Sequence, residues 1–208
     1  MSLEIWFAFV VASSALLAIP GPTVMLVVSY ALGRGKATGW ATVPGVTLGD
    51  FAAMSVSLLG AGAILAASAL LFTILKFAGA AYLIWLGIKL WRAEPKFEDL
   101  RDTSITGQRK TMFWNAFVIT ALNPKSIVFF IAFVPQFVEP GRALLPQFLI
   151  LEATFITLAA VNVGIWAVLA GRLHARFRNP KTLKLVNRCG AGFLIGAGLL
   201  TTTLRRST

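Results

Sequence analysis

The chain has 208 residues, of which 57% are hydrophobic and only 13% charged, whereas a soluble domain of this size carries roughly a quarter charged residues. That composition excludes a soluble globular protein and points to a polytopic membrane protein. The formal net charge of +11 does not point to nucleic acid, because the basic residues lie in short segments between apolar runs.

Six apolar runs approach the ~20 residues a bilayer requires. They are about Ile5–Tyr30, Thr42–Ala66, Thr73–Trp91, Met112–Val138, Gln147–Gly171 and Cys189–Leu204. A tight turn near Ser68 is expected to separate the second from the third. Met1 to Glu4 carry no positive charge, and the first run is too long for a signal h-region, so it reads as a retained span. The polar stretch from about Arg92 to Thr111 reads as a loop within one integral membrane domain over 1–208, with no extramembrane domain. Cys189 is the single cysteine, so no intrachain disulfide is available and a structural thiol is expected.

Charge sets the orientation. Arg34 and Lys36 follow span one; Arg92, Lys96, Arg101, Arg109 and Lys110 follow span three. Arg172, Arg176, Arg178, Lys181, Lys184 and Arg188 follow span five. The intervening segments hold Arg142 alone. The odd segments are therefore expected to be cytoplasmic and both termini extracytoplasmic. Arg205 and Arg206 oppose this and are outnumbered. Trp6, Trp40, Trp91 and Trp114 fall near span ends, where amphipathic rings prefer to sit.

Two spans are interrupted. The first contains Pro20-Gly21-Pro22-Thr23, the fourth Asn123-Pro124-Lys125-Ser126. Proline removes a backbone donor and clashes with the preceding turn, so each helix must kink or open. Hydrocarbon satisfies no freed carbonyl, so such breaks belong against protein or a wet cavity. Paired breaks in corresponding halves point to a transport site.

The breaks superpose at an offset of 103 residues, and Asp50 meets Glu152 at 102. Lys76 to Gly87 matches Asn187 to Gly198 at 111, with Gly-Ala, an aromatic-Leu-Ile run and a final Gly coinciding. The repeats are read as 1–91 and 112–208, joined by the loop 92–111. Each half holds three spans, an odd number, so the halves insert in opposite senses. The expected fold is an all-α membrane protein of six transmembrane helices in two inverted repeats, with the first and fourth helices broken. Gly45-xxx-Gly49, Gly192-xxx-Gly196 and Gly79-Ala80 are expected to pack helices closely.

Asp50 lies about eight residues into span two, where a charge costs ~2.5–3.5 kcal/mol on insertion scales. It is expected to bind a substrate ammonium or a proton that competes with it; the alternative is a structural ion pair. Lys125, beside Pro124, is expected to have a carboxylate partner, Asp50 ahead of Glu152. Its three donors can otherwise bind a substrate carboxylate or unwound carbonyls. Glu152, near the outer end of span five, either reaches water or accepts outside protons. Pro20, Gly21 and Pro22 contribute exposed backbone. The new helix start near Thr23 suits a carboxylate and the facing helix end a cation, a pair that matches a zwitterionic amino acid. Thr23 and Ser126 read as helix caps or ligand donors, and Phe129 and Phe130 as residues that set pocket shape. Asn162 reads as interhelical glue, Lys76 and Lys89 as snorkelling side chains, and His174 as solvated. No metal-ligand spacing and no phosphate-binding glycine motif appear, so neither metal nor ATP is expected.

These residues resemble the lysine-exporter (LysE/RhtB) family of bacterial inner-membrane amino-acid exporters. Pro20-Gly21-Pro22 looks like its first-helix motif. Gly35, Gly39, Gly45, Gly49 and Asp50 look like the glycine run ending in aspartate that follows. Lys76 to Gly87 is similar to its third-helix signature, and Asn123-Pro124-Lys125 to its fourth. Four motifs in order span nearly the whole chain. The resemblance implies export of amino acids or derivatives, driven by the proton gradient, with no cofactor, and supports roles for Pro20, Gly21, Pro22, Asp50, Asn123, Pro124 and Lys125. Glu152 matches no family motif. Thr23 stands where the family often has a more polar amide, which bears on substrate choice.

The sequence therefore predicts a secondary exporter whose partners are an amino acid, protons and the bilayer; a homodimer is compatible with it. The rivals are an inorganic cation carrier, which should cluster carboxylates or thiols in its spans, and a non-transporting membrane subunit, which predicts breaks without charge. An enzyme is disfavoured for lack of a nucleophile–base pair.

Overall fold

The structure, a computed structural model, describes residues 1–34, 36–67, 69–92, 109–139, 141–177 and 180–203. Gly35, the turn near Ser68, Lys96, Arg101, Arg178, Arg205 and Arg206 lie outside the described residues, as do the side chains of Arg34, Lys36, Lys76, Arg172, His174, Arg176 and Lys181.

Every regular element among the described residues is helical. They are α1 (Leu3–Ala18), α2 (Pro22–Arg34), α3 (Lys36–Ala67), α4 (Ala69–Arg92), α5 (Arg109–Ala121), α6 (Pro124–Val128), α7 (Leu144–Phe177) and α8 (Pro180–Thr203). After α6 the chain continues through a π turn, Phe129–Phe133, and a 3₁₀ turn, Val134–Phe137. Pro135 lies in that last turn and has no N–H to continue an α pattern. Ser2 starts α1 by accepting the amide of Ile5 at 3.3 Å.

Thr38–Ala63 and Leu144–Ala170 are each long and apolar enough to cross a membrane. Leu3–Ala18 with Pro22–Ala31, and Arg109–Ala121 with Pro124–Phe137, qualify as pairs, bent by 56° and 41°. The described residues thus supply two spans, or up to four with each bent pair taken as one. The apolar stretch of α4, Phe77–Lys89, is shorter. Helices also run past the expected span ends: α7 extends to Phe177, and α8 starts at Pro180 rather than near Cys189.

Packing follows the small residues in part. Helix α3 lies along α5, α7 along α1 and α2, and α4 along α8. A Cβ on Gly45 would sit 2.3 Å from the Phe113 carbonyl oxygen, and one on Gly49 would sit 2.8 Å from that of Phe117. Only glycine lets α3 and α5 approach so closely. A Cβ on Gly79 would overlap the Ala132 methyl group. A Cβ on Gly192 or Gly196 would meet nothing within 4 Å among the described residues, so that glycine pair does not pack a neighbouring helix as expected. Helix α8 meets α4 through another face: Gly87 abuts Ile195 and the Ala191 carbonyl, and Gly198 abuts Ile84 and the Ala80 carbonyl. The two contacts mirror one another with the helices antiparallel.

The main core joins Phe9 and Leu16 of α1, Met54 and Leu58 of α3, Leu83 of α4, Phe129, Phe130 and Phe133, Leu151 and Phe155 of α7, and Leu194 of α8. Phe7, Val11, Val56, Leu59, Leu149 and Val161 are exposed, an apolar exterior suited to lipid. Lys89 is exposed, its ammonium 5.2 Å over the Trp85 ring, and Arg188 of α8 stacks on Trp91 of α4. Cys189 is a free, exposed thiol rather than a packed one.

One end of the bundle is tied by Glu139. Its carboxylate accepts from the Ser2 amide, lies 3.4 Å from the Met1 amino group, and pairs with Arg142 at 2.9 Å. Gln147 accepts the Glu139 amide at 2.8 Å and donates to the Glu139 and Ala143 carbonyls, each at 3.2 Å. The Ser2 amide is the main influence holding the Glu139 carboxyl below its ordinary range, with Arg142 and the amino group adding to it.

Candidate functional site

The first break falls between α1 and α2. Pro20 and Pro22 cannot donate, so α1 ends with its last carbonyls open. The Ile19 amide folds back to the Leu16 carbonyl at 3.3 Å, and the Gly21 carbonyl accepts from Met25 at 2.9 Å to start α2. Three carbonyls of this end, Leu16 among them, also take donors from the other half of the chain. Lys125 Nζ donates to the Leu16 and Ile19 carbonyls, each at 3.0 Å. Asn162 Nδ2 donates to the Leu17 carbonyl at 3.1 Å. Hydrogen bonds from a charged donor contribute about 1.5–3 kcal/mol each.

The second break, between α5 and α6, caps itself. Asn123 is the N-cap of α6: its Oδ1 accepts the Lys125 amide at 3.1 Å, and Pro124 occupies the first helical position, where a missing N–H costs least. Its own amide bonds the Thr120 carbonyl at 3.1 Å. The cap is therefore Asn123 and not Ser126. Thr23 serves as a cross-link rather than a cap. Its hydroxyl lies 3.2 Å from that of Thr120 and accepts from Asn123 Nδ2 at 3.4 Å.

Between the breaks lies a cavity of about 20 Å³, room for about one water. Gly21, Thr23, Asp50, Asn123, Lys125, Ser126 and Asn162 supply its polar wall, and Leu16, Leu17, Val24, Val46, Ala159 and Val163 its apolar wall. As it stands it is too small to hold an amino acid. Asp50, 3% exposed, sits midway along the Thr38–Ala63 span. Among the described residues its carboxylate forms no hydrogen bond and no direct ion pair. The expected Asp50–Lys125 pair is therefore replaced by the ammonium on unwound carbonyls, with the opposite charges sharing one cavity. Such a carboxylate, left without a donor, is set to take a cation or a proton.

The structure thus brings Gly21, Thr23, Asp50, Asn123 and Lys125 together. Pro20 and Pro22 shape the first break and Pro124 the second without lining the cavity. Glu152 is buried but elsewhere: it accepts from Ser55 Oγ at 2.5 Å and does not line the cavity. Phe129 and Phe130 lie in the core, ringed by Phe133 and Phe155, and do not line this cavity. Asn162 both bonds between helices and lines the cavity; its polarity inside span five was the signal. Thr120 had one too, standing three residues before Asn123. A larger groove of about 460 Å³ between α3 and the second break is lined mainly by apolar side chains such as Ala52, Val56, Leu122 and Ile127, and opens outward.

The family model described as LysE type translocator matches residues 14–203. The chain is 37% identical over 201 residues to a homoserine/homoserine lactone efflux protein of Salmonella typhimurium, covering 96% of this chain and 97% of that one. It is 32% identical to an uncharacterized membrane protein of Vibrio cholerae, over 99% and 100% of the two chains. It is 26% identical to a leucine efflux protein of Enterobacter sp., over 92% and 90%. No solved structure matches it. The chain belongs to the LysE type translocator family, as a membrane transporter and not an enzyme.

Proposed function

We propose that this translocator exports amino acids or their derivatives across the bacterial inner membrane in exchange for protons. The carrying observation is a cavity between two helix breaks, walled by a buried carboxylate without a donor and by an ammonium held on carbonyls. The relatives named for homoserine, homoserine lactone and leucine efflux support an amino-acid or related substrate.

In this reading the chain crosses the membrane six times as two inverted three-helix repeats, with both termini outside. The mirrored Gly87 and Gly198 contacts support it, because an inverted repeat lays its third and sixth helices antiparallel across the pseudo-two-fold axis. The cavity opens first to the cytoplasm. Asp50 takes the substrate ammonium, and the amide end of α2 at Thr23 receives the carboxylate. Asn123 and Lys125 complete the polar wall, while Pro20, Gly21, Pro22 and Pro124 keep both breaks open. As the halves rock outward, a proton displaces the ammonium from Asp50 and returns inward. Glu152, held by Ser55, accepts that proton on the outer side. A homodimer is compatible with this scheme and not needed by it.

An inorganic cation carrier is the second reading. It needs clustered carboxylates or thiols, and among the described residues no three His, Cys, Asp or Glu side chains come together. Counterflow in liposomes holding purified protein, with a panel of amino acids and with or without a proton gradient, tests the proposal. Exchange of amino acids that accelerates with an inward proton gradient is expected. Exchange of none, or indifference to the gradient, contradicts it.

A further inference from the structure

The carbonyls that receive Lys125 Nζ form the broken end of a half-helix. Leu16 and Ile19 lie at the exit of α1, where carbonyls lose their i+4 donors and partial negative charge gathers; the Leu16 oxygen keeps only the long Ile19 amide contact beside Lys125. In broken-helix transporters, unwound carbonyls and half-helix C-terminal ends are where a coupling Na⁺ is held. We propose that the Lys125 ammonium is a tethered replacement for that ion, so that the site needs no inorganic cation. The inference rests on the reading of the chain as a proton-coupled exporter and names what stands where a second coupling ion would.

The local geometry carries it. The ammonium touches two carbonyls at 3.0 Å, and Asn162 takes that of Leu17 between them. The charge therefore sits on backbone oxygens, as a bound metal ion does, while Asp50 stays free for substrate or proton. Gly21 leaves room for it: a Cβ there would lie 3.4 Å from Nζ and 3.5 Å from Cε, so a side chain bulkier than alanine would push the ammonium away. The tether also joins the two halves of the chain, which an ion bridging both breaks would do.

Removing the tether leaves oxygens that a small cation can fill. The test is thermal unfolding of purified wild type, Lys125→Met and Lys125→Met/Asp50→Asn in NaCl, methylammonium chloride or choline chloride at equal ionic strength. Wild type should unfold at one temperature in all three. Lys125→Met should gain about 3 °C in Na⁺ or methylammonium over choline, and the double variant should keep that gain, because the carbonyls and not Asp50 hold the cation. No cation-specific gain in Lys125→Met overturns the proposal, as does a gain lost in the double variant. If Lys125→Met does not fold, the wild-type arm still decides: a Na⁺-specific gain in wild type, or export by wild type that requires Na⁺, overturns it, and indifference of both supports it. Unfolding is read without transport, so failure of the export reading leaves this result standing.

Discussion

The two breaks solve one problem in different ways. The second is satisfied from within: Asn123 caps α6, and Pro124 sits where its missing donor matters least. The first offers two prolines and a glycine, with no side-chain donor. Its carbonyls at Leu16, Leu17 and Ile19 are met by Lys125 and Asn162 from the other half. The sharper bend is also at the first break, 56° against 41°. A helix break capped in cis is a fixed joint. One capped in trans holds only while the halves stay together, so motion between the halves is felt first at the end of α1.

That contrast can be broken at several points. The largest effect is expected from Asp50→Asn, which removes the one cavity carboxylate; export should fall to background while the protein remains in the membrane, as transport assays alongside quantitative immunodetection will show. Asn162→Leu leaves the Leu17 carbonyl without its donor, at about 2 kcal/mol. Hydrogen exchange should then quicken around residues 16–22 and not around 123–128. Asn123→Ala removes a cap worth about 1 kcal/mol, and exchange should quicken at the start of α6 instead. Equal effects at both breaks in either variant would erase the distinction between them.

The smallest effect concerns Glu139, far from both breaks. The Ser2 amide and Arg142 favour its charged form, so the folded protein binds this proton less readily than the unfolded chain. Its contribution is complete above the ordinary glutamate range and disappears as pH falls through the lowered folded value. Wild type should unfold slightly above Glu139→Gln at neutral pH, and the difference should vanish in acid. A difference that grows on acidification would reverse the sign.

Much of the lining of the candidate cavity was legible because prolines and intramembrane charges leave few alternatives. Asp50, Lys125 and both breaks were placed by that logic alone, and the residues matched at an offset of 111 are those that meet across α4 and α8. The Lys125 partner was not legible: a carboxylate and freed carbonyls can both hold an ammonium, and sequence sets no distance between them. Phe129 and Phe130 pack with Phe133 and Phe155 in the core and line neither the cavity between the breaks nor the groove beside it. The Asn123 cap was readable in hindsight, since a proline in the first helical position makes its predecessor the N-cap. Gly192 and Gly196 show that small-residue spacing does not reveal whether a neighbour is present. Glu152 follows Asp50 at the sequence offset of 102, yet it bonds Ser55 and does not line the cavity.

The central claim is that the cavity between the breaks is where substrate sits. The direct test is thiol labelling of Ser126→Cys, a buried position on the cavity wall, in a background with Cys189→Ala to silence the exposed native thiol. A transported amino acid should slow labelling by a small water-soluble maleimide in a concentration-dependent way, and a non-transported one should not. Labelling that ignores every exported amino acid would contradict the account.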